Sequence, residues 1–341
     1  MTSQVGLRTV PRILLALVGA AIVAWLAYKG SQNSRLFWIV TLNGITLAAL
    51  FFVVAAGFTL IFGLMRVVNM AHGSLYLLAG YIAFTVQANQ YGVSSNLLSG
   101  NPATVTSWVV PLAIATVVIG IAGVLMQQIF LRWNQGQDLR QALITIAISV
   151  ILADQMVAHF GGIAEAIQQP APWPESVSLL GVRYGFFRLV VVLGAAVAIG
   201  ALLFLVIKLT RFGMIIRAGV DDRSMVSALG VNIQLVFAGA FFIGALLAGL
   251  AGGLGGTMLA VQPGNDSAFL LDSLIVVIIG GMGSLGGAAI GSLALGLVSS
   301  YANVYLQFGT TDLTNYSILL TFILVVAMLA VRPLGLFGRP A

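Results

Sequence analysis

The sequence predicts an all-α polytopic membrane protein of about 8–10 transmembrane helices. Three observations carry this. Hydrophobic residues make up 60% of the 341-residue chain against 7% charged, a balance outside the soluble globular range. The mean hydropathy is +1.08. The apolar residues also fall into long runs separated by short polar or glycine- and proline-rich connections.

A membrane helix needs about 20 apolar residues. On that measure the spans are 12–28, 36–64, 70–88, 107–131, 141–160, 186–208, 234–259, 269–281, 286–306 and 315–331, within one membrane domain covering 1–341. The first run follows Arg8 and Arg12 in the manner of a signal peptide. Trp25 and Tyr28 stand where a cleavage site requires small residues, so it reads as an uncleaved span. Starting from a cytoplasmic amino terminus, eleven of the fifteen Lys and Arg residues fall inside and four (Lys29, Arg35, Arg183 and Arg188) outside. This bias places both termini in the cytoplasm.

The net charge of +6 belongs to residues flanking spans, so it sets orientation and gives no reason to expect nucleic acid. Cysteine is absent and the two histidines, His72 and His159, are far apart. Disulfides and thiol catalysis are excluded, and no metal site is expected. The outer connections, including Asn89–Ser107 and the proline-rich Gly161–Gly185, are too short to form a capture domain. High-affinity capture of a solute therefore falls to another protein.

The one long polar island lies inside. The loop 209–233 carries Arg211, Gly213, Arg217, Ala218, Asp221, Asp222, Ala228, Leu229 and Gly230. Its mixed charge and small-residue end suit docking in a groove on another protein, and Arg217 and Asp221 have the i, i+4 spacing of a helical ion pair.

Glycine concentrates in the second half, as GLAGGLGG at 249–256 and GGMGSLGG at 280–287. Four-residue glycine spacing lets membrane helices approach closely. In the second cluster the density also predicts a break, marking a discontinuous helix that lines a cavity. Its members Gly280, Gly281, Gly283, Ser284 and Gly287 are candidate path residues. Asn69, His72, Gly73 and Ser74 are their counterparts, because Gly73-Ser74-Leu75 recurs as Gly283-Ser284-Leu285. That echo makes an inverted repeat a candidate arrangement, with the two segments meeting at the gate.

The stretches GLMRVVNMAHGSLYLLAGY (63–81), RFGMIIRAGVDDRSMVSALGVN (211–232), and GGMGSLGGAAIGSLALGL (280–297) with RPLGLFGRP (332–340) resemble the permease subunits of branched-chain amino-acid ATP-binding-cassette importers. Relatives in that family also carry urea, short amides and other small polar solutes. The resemblance implies a bacterial inner-membrane assembly of two permeases and two cytoplasmic ATPases, fed by a periplasmic solute-binding protein. The second permease would be a related chain, and 211–232 would be the coupling helix that docks on an ATPase. ATP and Mg would be bound by those partners, with no cofactor in this chain.

Two other classes are open to such a sequence. A secondary transporter or channel driven by an ion gradient would use Asp154, His159 and Asp272 as intramembrane ionisable groups. An intramembrane hydrolase would need a third partner for His72 and Ser74, which fall on different helix faces two residues apart. Neither gathers enough groups, and no catalytic residue is assigned.

A Walker A loop requires Lys after glycine in G-x-x-x-x-G-K-[ST], yet Lys29 follows Tyr28 and Lys208 follows Ile207. The isolated chain is therefore expected to hydrolyse no ATP. Turnover measured on the purified single chain, freed of contaminating ATPase, would contradict this.

Overall fold

The computed structural model describes residues 24–65, 68–93, 101–221, 223–308 and 311–338. Arg8, Arg12, Arg66, Asp222, Arg339 and residues 12–23 of the first expected span lie outside them. Residues 24–32 are helical. There follow α1 (Ser34–Met65), α2 (His72–Tyr91), α3 (Val105–Met126) and α4 (Asp138–Phe160). A hairpin of β1 (Ser176–Leu179) and β2 (Val182–Gly185) leads to α5 (Leu193–Leu209), then the short helices α6 (Arg211–Asp221) and α7 (Arg223–Ala228). The rest comprises α8 (Ile233–Met258), α9 (Asn265–Gly280), α10 (Leu285–Tyr305), a two-residue hairpin of β3 (Gln307–Phe308) and β4 (Thr311–Asp312), and α11 (Ser317–Val331).

The chain is an all-α polytopic membrane protein. Among the described residues, six helical stretches are long and apolar enough to cross a membrane: Ser34–Gly63, Val105–Asn134, Asp138–Phe160, Phe187–Leu209, Ile233–Met258 and Leu285–Tyr305. Helices α2, α9 and α11 fall short in apolarity or length. We call the end bearing α6 and α7 the lower end and the end bearing β1–β2 the upper end.

Helix α1 is the axis of the bundle. Leu50, Val53, Val54, Ala55 and Ala56 along it are fully buried, with α8, α9 and α10 packed around it. Helix α8 needs its glycines because it is enclosed on three sides. A methyl group on Gly244 would fall 2.6 Å from Ile61 of α1, and one on Gly249 2.9 Å from the Thr116 backbone of α3. One on Gly252 would strike the carbonyl of Tyr76 in α2. Each glycine admits a different neighbour, which close membrane packing requires.

At the upper end, Pro111 inside α3 has no N–H for the carbonyl four residues back, Ser107. The buried side chain of Gln87 supplies the missing donor, its Nε2 lying 3.2 Å from that oxygen. The same nitrogen donates to the carbonyl of Gln168, and Gln87 Oε1 accepts from the Gln168 amide at 2.8 Å. One side chain thus ties α2, α3 and the proline-rich connection together. Beside it Trp173 stacks on Phe187 and Trp108 packs edge-on to both, an aromatic layer of the kind found at membrane interfaces.

At the lower end, Gly280 and Gly287 lie back to back, so a methyl on either would strike the other's backbone. Gly280→Val is expected to destabilise the bundle by about 1–3 kcal/mol through overpacking. Gly194→Ala, which meets nothing within 4 Å, is the comparator. Thermal unfolding in detergent checks this, and equal midpoints would mean that α9 and α10 do not touch there.

Candidate functional site

The first expected break is a helix start inside the bundle. After Met65 the chain turns, and the Asn69 side chain accepts from the Ala71 amide at 3.1 Å while its carbonyl accepts from His72. His72 then opens α2 beside the middle of α1: its Nε2 donates to the carbonyl of Val54 at 3.0 Å. Val54 lies eleven residues before the end of α1, so α2 begins about 16 Å along α1 from that end. The His72 ring sits edge-on to Phe58, 5.6 Å between centroids. His72 Nδ1, Asn69 Nδ2 and the Tyr76 hydroxyl are buried with no hydrogen-bond partner.

Ser74 faces α4. Its hydroxyl lies 2.8 Å from that of Ser149, and one turn below, the Met70 amide donates to Thr145 Oγ1 at 3.2 Å. Gly73 faces α9 instead, where its hydrogen leaves room for the carbonyl of Asp266 and the side chain of Leu270. Tyr76 stacks on Phe269, 4.2 Å between centroids. Thus α9 also starts inside the bundle, at the level where α2 begins. Its amino terminus, at Gly264 (φ +93°), has no side-chain cap. Above it a narrow crevice runs between Tyr76, Gly80, Gly252, Val261 and Asn265, too tight to admit water.

The second expected break lies elsewhere. Gly281 (φ +95°) ends α9 and Gly283 (φ +82°) completes the turn, both in backbone conformations that favour glycine. Ser284 caps α10 by accepting from the Gly287 amide at 3.0 Å. The final carbonyls of α9 are met by the chain's own tail, with the Leu336 amide donating to Ile279 and the Phe337 amide to Gly280. The expectation that 69–81 meets 280–291 is therefore corrected. Residues 69–81 pack on α1, α4, α8 and the start of α9, whereas a methyl on Gly283 would meet Gly63 at the end of α1. The difference arises because α9 has two ends, and the sequence marks the glycine end more loudly than Asn265–Leu270.

The polar island is two short helices with buried apolar faces. Thr210 caps α6 through the Gly213 amide at 3.1 Å, and Ile216 and Val226 turn inward. Gly213 is buried against the carbonyls of Val206 and Ile207, so it seats α6 on α5 rather than facing outward. Arg217 donates to the carbonyl of Ile207, close to the carboxyl end of α5, where a cation is favoured. Arg211, Ala218, Ala228, Leu229 and Gly230 are exposed. Gly230 has open space around it but φ +82°, so its requirement is conformational rather than steric. Asp221 ends α6, and Asp222 lies outside the described residues. Met214 and Met225 are exposed on the same two helices; sequence reasoning passed over them because methionine in an apolar chain carries no signal.

Of the ionisable residues, Asp154 and His159 are exposed on α4 and Asp272 is half-buried on α9. Among the described residues no three His, Cys, Asp or Glu side chains cluster as a metal site would require.

A buried bundle with two helices starting at mid-depth, and a braced surface helix pair below, defines a multi-pass transport permease. The family model for the permease component of branched-chain amino acid transport systems matches residues 40–329, and the chain belongs to that family. It is 28% identical over 310 residues to the high-affinity branched-chain amino acid transport system permease protein LivH of Escherichia coli K12, covering 87% of this chain and 94% of that one. It is likewise 28% identical over 306 residues to BraD of Pseudomonas aeruginosa, with the same coverage. A probable LivH of Methanocaldococcus jannaschii is 24% identical over 287 residues, covering 83% of this chain and 87% of that one. No solved structure matches.

The Ser74–Ser149 contact makes a test of the α2–α4 seam. A double-mutant cycle with Ser74→Ala and Ser149→Ala should give a coupling of about 0.6 kcal/mol, the average for such pairs in membranes. Strict additivity in unfolding measurements would show that the hydroxyls do not meet.

Proposed function

We propose that this chain is one of two permeases in an ATP-binding-cassette importer for branched-chain amino acids or a related small zwitterion. A periplasmic binding protein delivers the solute, and two cytoplasmic ATPases bind ATP and Mg and drive transport. The chain lies in a bacterial inner membrane with its lower end in the cytoplasm. The observation that carries the reading is the α6–α7 pair, which is amphipathic, outward-facing and fixed to α5.

A coupling element must move with the spans it drives. Gly213 lets α6 seat on the last turn of α5, and Arg217 ties to Ile207. Force applied by an ATPase on Met214, Ala218 or Leu229 would therefore be passed to α5 without slack. Within the bundle, the unpartnered polar atoms of Asn69, His72 and Tyr76 would take new partners as α2 and α9 shift. With no lysine or arginine deep in the described spans, a solute carboxylate would be received by backbone N–H groups and helix amino-terminal dipoles along the passage.

Purification of the chain from its native membrane under gentle conditions should bring two ATPase subunits and a second permease. A homo-oligomer without ATPase, whose uptake collapses with the proton gradient, would instead favour ion-coupled transport. In the assembled complex, Arg217→Ala should reduce transport several-fold per ATP hydrolysed while the ATPases stay bound, and Arg217→Lys should restore part of it. Unchanged stoichiometry would remove Arg217 from the coupling route.

A further inference from the structure

Helix α4 is held to the body along one edge, and its contacts fix its depth. It runs parallel to α2, with Ser149 beside Ser74 and the Phe160 ring stacked on Tyr81 at 4.2 Å. Asp154 lies five residues beyond the first contact and six before the second, level with about Leu77. Gln87, in the upper aromatic layer, is ten residues further up α2, or about 15 Å. The hydrocarbon core of a bilayer is about 30 Å thick, so Asp154 sits near its mid-plane.

The same helix fixes direction. It buries Gln141, Thr145 and Met156 toward the body. At about 100° per residue Asp154 points the opposite way, and it is exposed. It falls in a stripe with Leu143, Val150 and Val157, which are 58%, 62% and 46% exposed. Leu143, Val150 and Val157 repeat at seven residues, as do Ala147 and Asp154, the spacing of a seam between two helices. By contrast, the outward faces of α3, α5 and α11 at this depth are apolar, as Val118, Val197 and Ile323 illustrate. An ionised carboxylate facing lipid at mid-depth costs at least about 2.5–3.5 kcal/mol.

A second observation agrees. Residues 161–164, just above Phe160, are non-helical and exposed, yet begin only about 9 Å below the Gln87 layer. Glu165 then pairs with Val261 in a bridge at the same level. Irregular backbone at membrane depth is tolerated only against protein or a water-filled cavity. The crevice within the chain's own bundle, beside Tyr76, admits no water.

We propose that the outward face of α4 is one wall of a water-filled solute passage closed on its other side by the second permease, and that Asp154 receives the solute's ammonium group there. This rests on the reading of the chain as one of a permease pair. A carboxylate suits the cationic end of a zwitterion, and its place opposite the packed edge of α4 leaves it free to meet a solute in transit. The partner supplies the facing helix that the seven-residue seam requires.

The natural absence of cysteine makes the test direct. Single replacements Leu143→Cys, Val150→Cys, Asp154→Cys and Ala158→Cys are made in the full complex in native membranes, with Val118→Cys, Val197→Cys and Ile323→Cys as lipid-facing comparators. A membrane-impermeant methanethiosulfonate should modify Asp154→Cys and Ala158→Cys at least tenfold faster than the comparators, and leucine should slow the reaction. A short bifunctional thiol reagent should join Leu143→Cys or Val150→Cys to a cysteine scan of the second permease. Asp154→Asn should raise the leucine concentration for half-maximal uptake at least fivefold, with Asp154→Glu restoring it. An assembled, ATP-hydrolysing complex in which Asp154→Cys labels no faster than Val197→Cys overturns the proposal and leaves the permease reading standing. Absence of a second permease and ATPases from wild-type membranes would overturn that reading itself. Fast labelling with uptake unaltered in Asp154→Asn would overturn the ammonium contact.

Discussion

The carbonyl of Ser107, stripped of its helical partner by Pro111 and met instead by Gln87, shows the constraint on which the structure depends. In a bilayer no water is available to a stray backbone group, and each one left unpaired costs several kcal/mol. Several departures from helix in the bundle are accordingly paired off by a specific group. Asn69 folds its side chain and carbonyl onto the amides that open α2. Ser284 covers the start of α10. The tail residues Leu336 and Phe337 cover the end of α9, although more than fifty residues separate them from Ile279 and Gly280 in sequence.

The same constraint explains what could be read from the sequence. The all-α membrane class follows from composition, and the polar island from charge placed against long apolar runs. Gly280, Gly281 and Gly283 mark a turn because only such a sequence can reverse within three residues and still let two helices touch. The pairing of that turn with 69–81 was not legible. Glycine density reports where backbones come close, but not which backbone arrives. Gly73 receives Asp266, a residue with no compositional flag, and Gly281 receives the tail. Similarly, the Arg217 side chain reaches back to the carbonyl of Ile207, a contact that its i, i+4 spacing to Asp221 did not announce. Spacing along one helix says nothing of a carboxyl end brought near by a tight turn.

Rigidity and mobility are divided along the helices. On α8, Gly249 and Gly252 admit α3 and α2 so closely that added methyls would meet backbone and Cβ atoms, and at Gly244, Gly253 and Gly255 they would meet the side chains of Ile61, Leu112 and Tyr76. Such contacts hold or part; they do not stretch. Helix α4 is bound differently, by a few hydroxyl contacts and one stacked ring pair along a single edge. The cost of shifting α4 relative to the body is therefore far smaller than that of separating α8 from α1. A cycle that alternately opens and closes a passage fits movement of such lightly held helices around an unmoving α1–α8 core.

That division bears on where a solute can cross. A path through the core would have to part the contacts of Gly244, Gly249 and Gly252, then repack them in each cycle, exposing backbone groups with no spare partner. A path along the outer face of α4 asks for none of this. The polar groups it needs, Asp154 and the irregular backbone of 161–164, are already turned outward, and the edge that holds α4 stays paired while its other face opens and closes. The least buried of the six long apolar spans is thus the one whose exposure most requires a function, because exposure at mid-membrane depth is tolerable for leucine and valine but not for aspartate.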